Sequence, residues 1–290
     1  MQKSILVGVL VASLGLSACG VSASIKQSVA SLGASSDVQV HLTAHFTGAG
    51  SAKAASILKQ MSLDIRLTNP SGAPLSQSSE PADVEFIVNV AGTSLVDIRS
   101  VGGNAYVNLD LSSLSSIPGV NVTAAQLATA QLVVGGRWFE LPKSLISTLV
   151  PTKAANAAKA AQDQAIGRTV LDEIAKVIDS SKYTTLAGGG YTETGTLQSI
   201  VNAIAPTILS LTHASTGPGK VKGDYTVTLT NSGSTATGGS ISITAPNGSK
   251  GNATGTLTAT VTHDSTPIVA PKGVTVITPA LIKQLTGRSL

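Results

Sequence analysis

The sequence contains little cysteine, little charge and few aromatic side chains. Of its 290 residues, one is cysteine, 12% are charged and 3% are aromatic. A single thiol cannot form a disulfide within the chain, so the fold must be stabilised by packing even in an oxidising compartment. The lysines and arginines are scattered and are not interleaved with aromatic residues, which argues against nucleic-acid binding. A weak attraction to anionic lipid headgroups stays open.

Common catalytic motifs are also absent from the sequence. Ser56 and Lys59 match the Ser-x-x-Lys motif of penicillin-binding proteins, but the partner motifs Ser-x-Asn and Lys-Thr-Gly do not occur. The sequence has no Gly-x-Ser-x-Gly elbow and no phosphate-binding loop, and its 15 acidic residues are dispersed. We therefore expect a noncatalytic protein without a cofactor.

The four histidines do not predict a metal site. His41 and His45 are four residues apart, a spacing at which two histidines on a helix can share zinc. The flanking residues alternate as in a strand, where four residues span roughly 13 Å, which is too far for two ligands of one ion. His213 and His263 are isolated in the sequence. We expect the histidines to face solvent and to bind no metal.

The N-terminus has the order of parts of a secretory signal. A charged start, Met1 to Lys3, precedes a short run of small and apolar residues, Ser4 to Leu16. The run ends in Leu-Ser-Ala-Cys at 16–19, which resembles the lipobox of bacterial lipoproteins, whose cysteine is diacylated after cleavage of the peptide before it. An ordinary secretory signal with an incidental cysteine is the alternative.

We therefore predict three parts: a signal peptide over 1–18, a flexible tether over 19–36 that starts at acylated Cys19, and a single domain over 37–290. Two acyl chains hold a protein stably at a membrane, so the protein is expected to be exported and anchored at the outer face of the cell membrane. A short helix docked on the domain is the alternative for the tether.

The pattern of apolar residues predicts an α+β fold. Apolar and polar residues alternate with a period of two, typical of half-buried strands, in nine segments: 38–46, 61–67, 84–90, 95–100, 105–111, 136–141, 225–230, 240–245 and 255–263. Helical spacing predicts helices over 122–132, 152–180 and 197–211, the last of which contains Pro206. Strands early and late in the chain, with helices between them, predict an antiparallel sheet packed on helices.

Three segments carry a resemblance to a known family. They are VGGNAYVNLDL at 101–111, GRWFELP at 136–142 and TVTHDSTPIVAPKGV at 260–274. With them the chain resembles actinobacterial cell-envelope lipoproteins of the LppX/LprG group, whose fold is similar to that of the lipoprotein carrier LolA. The resemblance implies a curved antiparallel sheet, or half-barrel, closed by helices over an apolar cavity for the acyl chains of lipids or glycolipids.

Two functional hypotheses follow. The first is a lipid-binding or lipid-transfer lipoprotein, because burial of acyl chains scales with apolar area and needs no special motif. Face periodicity selects eight candidate lining residues, for each of which ordinary core packing is the competing interpretation: Leu63, Ile65, Phe86, Val88, Ile98, Ile166, Val170 and Ile174. The second hypothesis is a structural or interaction lipoprotein with a filled core, whose loops, such as 69–81, contact a protein partner of the envelope.

Overall fold

The structure is a computed structural model, and it describes residues 31–48, 52–77, 82–117, 123, 125–128, 131, 135–142, 183–187, 189–212, 219–233, 235–246 and 251–278. Cys19 and the predicted helix over 152–180, with Ile166, Val170 and Ile174, lie outside the described residues.

The described residues form one sheet of twelve strands. In chain order the strands are β1 Asp37–Gly48, β2 Met61–Thr68, β3 Asp83–Val90, β4 Thr93–Val101, β5 Asn104–Leu109, β6 Trp138–Leu141, β7 Thr184–Thr185, β8 Tyr191–Thr196, β9 Asp224–Ser232, β10 Thr235–Pro246, β11 Asn252–Thr262 and β12 Thr275–Val276. Across the sheet their order is β12-β6-β5-β4-β3-β2-β1-β11-β10-β9-β8-β7. The predicted antiparallel sheet is thus confirmed, as one large, curved and open sheet that is consistent with a half-barrel.

The sheet consists of two meanders. Strands β1 to β6 pair in chain order, and so do strands β7 to β11. The two meanders meet where β1 pairs antiparallel with β11, from Gln39 opposite Thr262 to Gly48 opposite Ala253. The short β12 pairs with β6 and is parallel to it.

Two tight turns explain why the first meander forms from so short a stretch of chain. Ala91 and Gly92 join β3 to β4 with φ values of 51° and 79°, and Gly102 and Gly103 join β4 to β5 with φ values of 60° and 87°. Two central residues with positive φ are typical of the hairpin turns that match the twist of antiparallel strands. The glycines therefore set the registers of β3, β4 and β5.

The alternating sequence gives the sheet one apolar and one polar face. On β1, Val38 and Val40 are buried, whereas His41 and His45 lie exposed on the opposite face. The apolar face continues from one meander to the other, because Val40 on β1 is opposite both Ile65 on β2 and Val261 on β11. Since successive side chains of a strand point to opposite faces, the apolar residues of all long strands collect on one side.

Two α-helices have both ends in the described part of the chain, α1 Ala52–Leu58 and α2 Leu197–Thr212, and residues 31–34 are helical as well. Helix α2 confirms the predicted helix at 197–211 and continues through Pro206. Its N-terminus is capped by Thr196, whose hydroxyl accepts a hydrogen bond from the Ser199 backbone N–H at 3.3 Å. Of the helix predicted at 122–132, the described residues 125–128 and 131 are helical.

Candidate functional site

The candidate site is the apolar face of the sheet in its first meander. Five of the predicted lining residues are described, and they share this face. Leu63 on β2 is opposite Val88 on β3. In the next row Phe86 is opposite both Ile65 on β2 and Ile98 on β4. The predicted residues therefore form one continuous aliphatic and aromatic surface across three neighbouring strands.

Burial of this face differs from place to place and is lowest near the end of β1. At the end where β1 begins, Val38, Leu67 and Val84 are at most 6% exposed and pack with Leu32 and Leu75. One row further on, Ile65 and Phe86 are only partly buried, and Ile98 is 39% exposed. Near the end of β1, Phe46, Ile243 and Leu257 are 37%, 43% and 43% exposed. The apolar face is thus packed where β1 begins and accessible at Ile98 and around Phe46, while Val90 on β3 and Tyr225 on β9 are buried near the accessible end.

The second meander places one carboxyl group on the apolar face. Glu193 on β8 lies opposite Val227, and its side chain is 1% exposed. The hydroxyl of the buried Tyr225 donates a hydrogen bond to Glu193 Oε1 at 2.8 Å. Leu197 and Ile200 of α2 pack against the same cluster. Helix α2 thereby covers this part of the face and closes a buried polar pair within it.

The polar face of the first meander carries a buried ionic cluster. Arg66, Glu85 and Arg99 are neighbours on β2, β3 and β4. Arg66 Nη1 lies 2.8 Å from Glu85 Oε2, and Arg99 Nε lies 2.8 Å from Glu85 Oε1. The Glu85 side chain is only 4% exposed, so its charge is removed from water and compensated by both guanidinium groups.

A segment after β11 crosses this cluster. Arg66 Nη2 donates to the Thr266 carbonyl oxygen at 2.7 Å and lies 3.2 Å from Asp264 Oδ2. Arg99 Nη1 donates to the Val269 carbonyl oxygen at 3.4 Å. The segment then reaches β6, where it forms β12. We call residues 263–276 the strap, because they run across the polar face from β1 to β6.

Arg99 has two further partners. Its guanidinium lies 4.6 Å from the centre of the Trp138 ring, a cation–π contact. Its Nη2 donates to Asp97 Oδ2 at 3.0 Å. Burial raises the pKa of the Asp97 carboxyl above its usual value, and the hydrogen bond from Arg99 opposes that rise. These contacts connect the only tryptophan of the sequence with the ionic cluster.

His41 and His45 are exposed on the polar face of β1, as the sequence predicted, and His41 and His263 have partners. His41 Nδ1 lies 2.6 Å from Asp64 Oδ1, and His263 Nδ1 lies 2.9 Å from the Asp37 carbonyl oxygen. His263, which is isolated in the sequence, therefore has a hydrogen-bond partner in the fold. No group of three or more His, Cys, Asp or Glu side chains suited to a metal ion occurs in the described residues.

The ionic cluster was not found by sequence reasoning. Its signal is present, because Arg66, Glu85 and Arg99 all occupy polar positions of alternating segments. Their contact depends on strand register, which the alternation does not specify.

Comparison with protein families finds no family model that matches the chain, and comparison with curated proteins finds no significant match. Among the helices in the described part of the chain, none has the length and apolarity needed to cross a bilayer.

Proposed function

We propose that this chain is an exported bacterial lipoprotein, anchored to the cell membrane through Cys19, that binds or transfers the acyl chains of lipids or glycolipids on the apolar face of its sheet. The proposal includes the finer fold that the resemblance implies, in which helices close the curved sheet over an apolar cavity as in the LppX/LprG and LolA proteins. It assigns the protein no catalytic role and no cofactor.

One observation carries the proposal: the apolar face is continuous but only partly covered. Leu63, Ile65, Phe86 and Val88 are all partly buried, and Ile98 is 39% exposed. Large exposed apolar surfaces are uncommon on monomeric soluble proteins and mark binding sites. Aliphatic side chains spread over three strands suit a flexible acyl chain, whose binding requires apolar area rather than a polar group at a defined position.

The test is to identify lipid that leaves the cell with the protein. The chain from Gly20 onward is secreted from an actinobacterial host without the acylated cysteine and purified without detergent. All described residues follow position 30, so the deletion removes none of the described contacts. An organic extract is then analysed by mass spectrometry. A stoichiometric lipid species would support the carrier and identify its cargo.

A protein that carries no lipid and takes up none from added vesicles would contradict lipid binding. That outcome would favour the interaction lipoprotein, in which the core is filled and an envelope protein is the partner. In the described part of the region 69–81, Asn69 and Leu75 are 2% and 7% exposed, so these two residues are not available to such a partner.

A further inference from the structure

The open end of the apolar face has a second property that lipid binding does not require. Phe46, Ile243 and Leu257, which we call the rim, lie near the ends of three adjacent strands, β1, β10 and β11. The Phe46 ring lies over Gly255, between the two aliphatic side chains: a β-carbon at Gly255 would be 3.0 Å from the ring. Because Gly255 has no side chain, the Phe46 ring lies close to the backbone of β11, and the rim is a nearly continuous surface.

Exposed lysines flank the rim on both sides. Lys59 lies two residues before β2, which is the neighbour of β1 on one side. Lys220 and Lys222 precede β9, the neighbour of β10 on the other side, and Val221 between them is 38% exposed. Gly223, which follows Lys222, packs closely on β10, because an added β-carbon would be 2.5 Å from the Thr244 carbonyl oxygen.

Three carboxylates lie at the opposite end of the sheet. Asp37 begins β1 and Asp83 begins β3, while Asp264 follows the end of β11 and is paired with Arg66. At the rim end, Asp224 is on the polar face, because its neighbour Tyr225 is buried on the apolar face. The exposed apolar side chains of the rim therefore have lysines beside them, and these carboxylates lie away from the rim.

We propose that the rim and its lysines are the surface by which the anchored protein lies on an anionic phospholipid bilayer. Apolar side chains that are exposed beside lysines fit the acyl boundary of such a surface, while the ammonium groups lie at the level of the lipid phosphates. This orientation on the bilayer depends on the proposed lipid anchor, but it does not depend on lipid binding by the apolar face. A protein partner with an acidic apolar surface is the other occupant, and the experiment distinguishes it.

The chain between Cys19 and the sheet is long enough for this orientation. Phe46 is nine residues beyond Asp37 along β1, a distance of about 30 Å at the usual rise of a strand. Leu32, which is buried in the core near the start of β1, is 13 positions after Cys19 in the sequence. An extended chain of that length spans at most about 45 Å, so Cys19 can reach a bilayer that touches the far end of β1.

The test uses the full-length lipoprotein in vesicles. Leu257→Cys places a thiol in the rim, and Val269→Cys places one in the strap, where Val269 is 59% exposed on the polar side. Each is labelled with a polarity-sensitive fluorophore and reconstituted in vesicles of phosphatidylcholine with phosphatidylglycerol at about 7:3. The unmodified chain is the labelling control, because acylated Cys19 takes no label.

In anionic vesicles we expect the label at 257 to shift to shorter wavelength and to be quenched by doxyl-labelled lipid at least about twofold more than the label at 269. Vesicles of phosphatidylcholine alone should reduce this difference, and so should Lys220→Glu with Lys222→Glu. Lys272→Glu is the matched control, since Lys272 is an exposed lysine of the strap.

Three results would overturn the proposal. A label at 257 that stays in water on protein that sediments with anionic vesicles contradicts the rim as a bilayer contact and favours a protein partner, while it leaves the anchor intact. A label that is buried in the same way with or without phosphatidylglycerol and the lysines contradicts the role of the lysines and of an anionic surface. Failure of both labelled chains to sediment contradicts the anchor, and with it the orientation that depends on the anchor.

Discussion

Arg66 and Arg99 contact opposite oxygens of one buried carboxylate, that of Glu85, at 2.8 Å each. The three residues are on adjacent strands, so the cluster fixes the register of β2, β3 and β4 as well as the position of the strap. Removing the carboxylate leaves two guanidinium groups close together with their shared counter-charge gone.

We expect Glu85→Ala to lower the free energy of unfolding by about 3 kcal/mol, because truncating one member of a buried ion pair leaves an uncompensated buried charge. Urea denaturation of the chain from Gly20 onward measures the change. Glu140→Ala is the control. Glu140 is only partly buried and accepts a hydrogen bond from Asn104, so its loss should lower the free energy of unfolding much less. Equal effects of the two variants would contradict the special role of Glu85.

The buried pair of Tyr225 and Glu193 makes a second prediction. Tyr225→Phe removes the donor at 2.8 Å from Glu193 Oε1 and leaves that oxygen buried. We expect a loss of about 2 kcal/mol of unfolding free energy, in the range for hydrogen bonds to charged groups. Glu193→Leu combined with Tyr225→Phe should recover part of this loss. A double-mutant cycle measures the coupling, which should be at least about 1 kcal/mol; additive single effects would contradict a coupled pair.

Val88 and Ile87 are neighbours on β3 and point to opposite faces, which provides a matched test of the proposed lipid-binding face. Val88→Trp adds a large ring to the apolar face, so we expect bound lipid per protein to fall by about threefold or more as acyl volume is displaced. Ile87→Trp adds the same ring to the polar face and should leave bound lipid unchanged. Both variants are checked for native circular dichroism, and lipid is counted by mass spectrometry. An equal loss in both variants would argue against this face as the site.

Asp110 makes a pH-dependent prediction. Its carboxylate caps the 3₁₀ turn at 111–116 and accepts the Ser112 backbone N–H at 3.0 Å. Hydrogen bonds from Ser112 hold the pKa of Asp110 below its usual value. Ionised Asp110 therefore stabilises the fold above the pKa of the unfolded chain, about 3.9, and this contribution is lost as the pH falls through the lower pKa of the folded state.

We expect Asp110→Ala to lower the free energy of unfolding at pH 7 by about 0.5 to 1 kcal/mol, the range for loss of an N-cap. The difference from the unchanged chain should shrink as the pH approaches 2. Asp110→Asn keeps a capping oxygen without a charge, so its stability should lack this pH dependence. Denaturation at several pH values measures all three proteins, and a constant deficit of Asp110→Ala would contradict the charged cap.

Alternation predicted the strands well, because each of the nine segments overlaps a strand of the sheet. It missed the short β7 and also β8, where Thr, Gly and a buried Glu193 replace the usual apolar positions. A carboxyl on a core face breaks the pattern of two, and the hydroxyl of Tyr225 on the neighbouring strand donates a hydrogen bond to it. The shared face of Leu63, Phe86 and Ile98 was predictable because the same alternation places apolar residues on one side of each strand.

The strap and the ionic cluster could not be derived from the sequence. The strap has two residues of strand, and its path is determined by single contacts of Arg66 and Arg99 with its backbone carbonyl oxygens. Such contacts depend on side-chain reach across more than 160 residues of sequence separation. Local propensity carries no information about them.

The pairing of β1 with β11 has a consequence for how the molecule folds. Every other antiparallel pair joins strands that follow each other in the chain, whereas this seam joins residues such as Val40 and Val261 from opposite ends of the body. Closing so long a loop is entropically unfavourable, so the seam should form late, after each meander has assembled. Until then β1 and β11 are both unpaired edges of hydrophobic ribbons, which can pair with other chains. The folding chain is therefore most prone to aggregate or to exchange halves with a second copy while this seam is open.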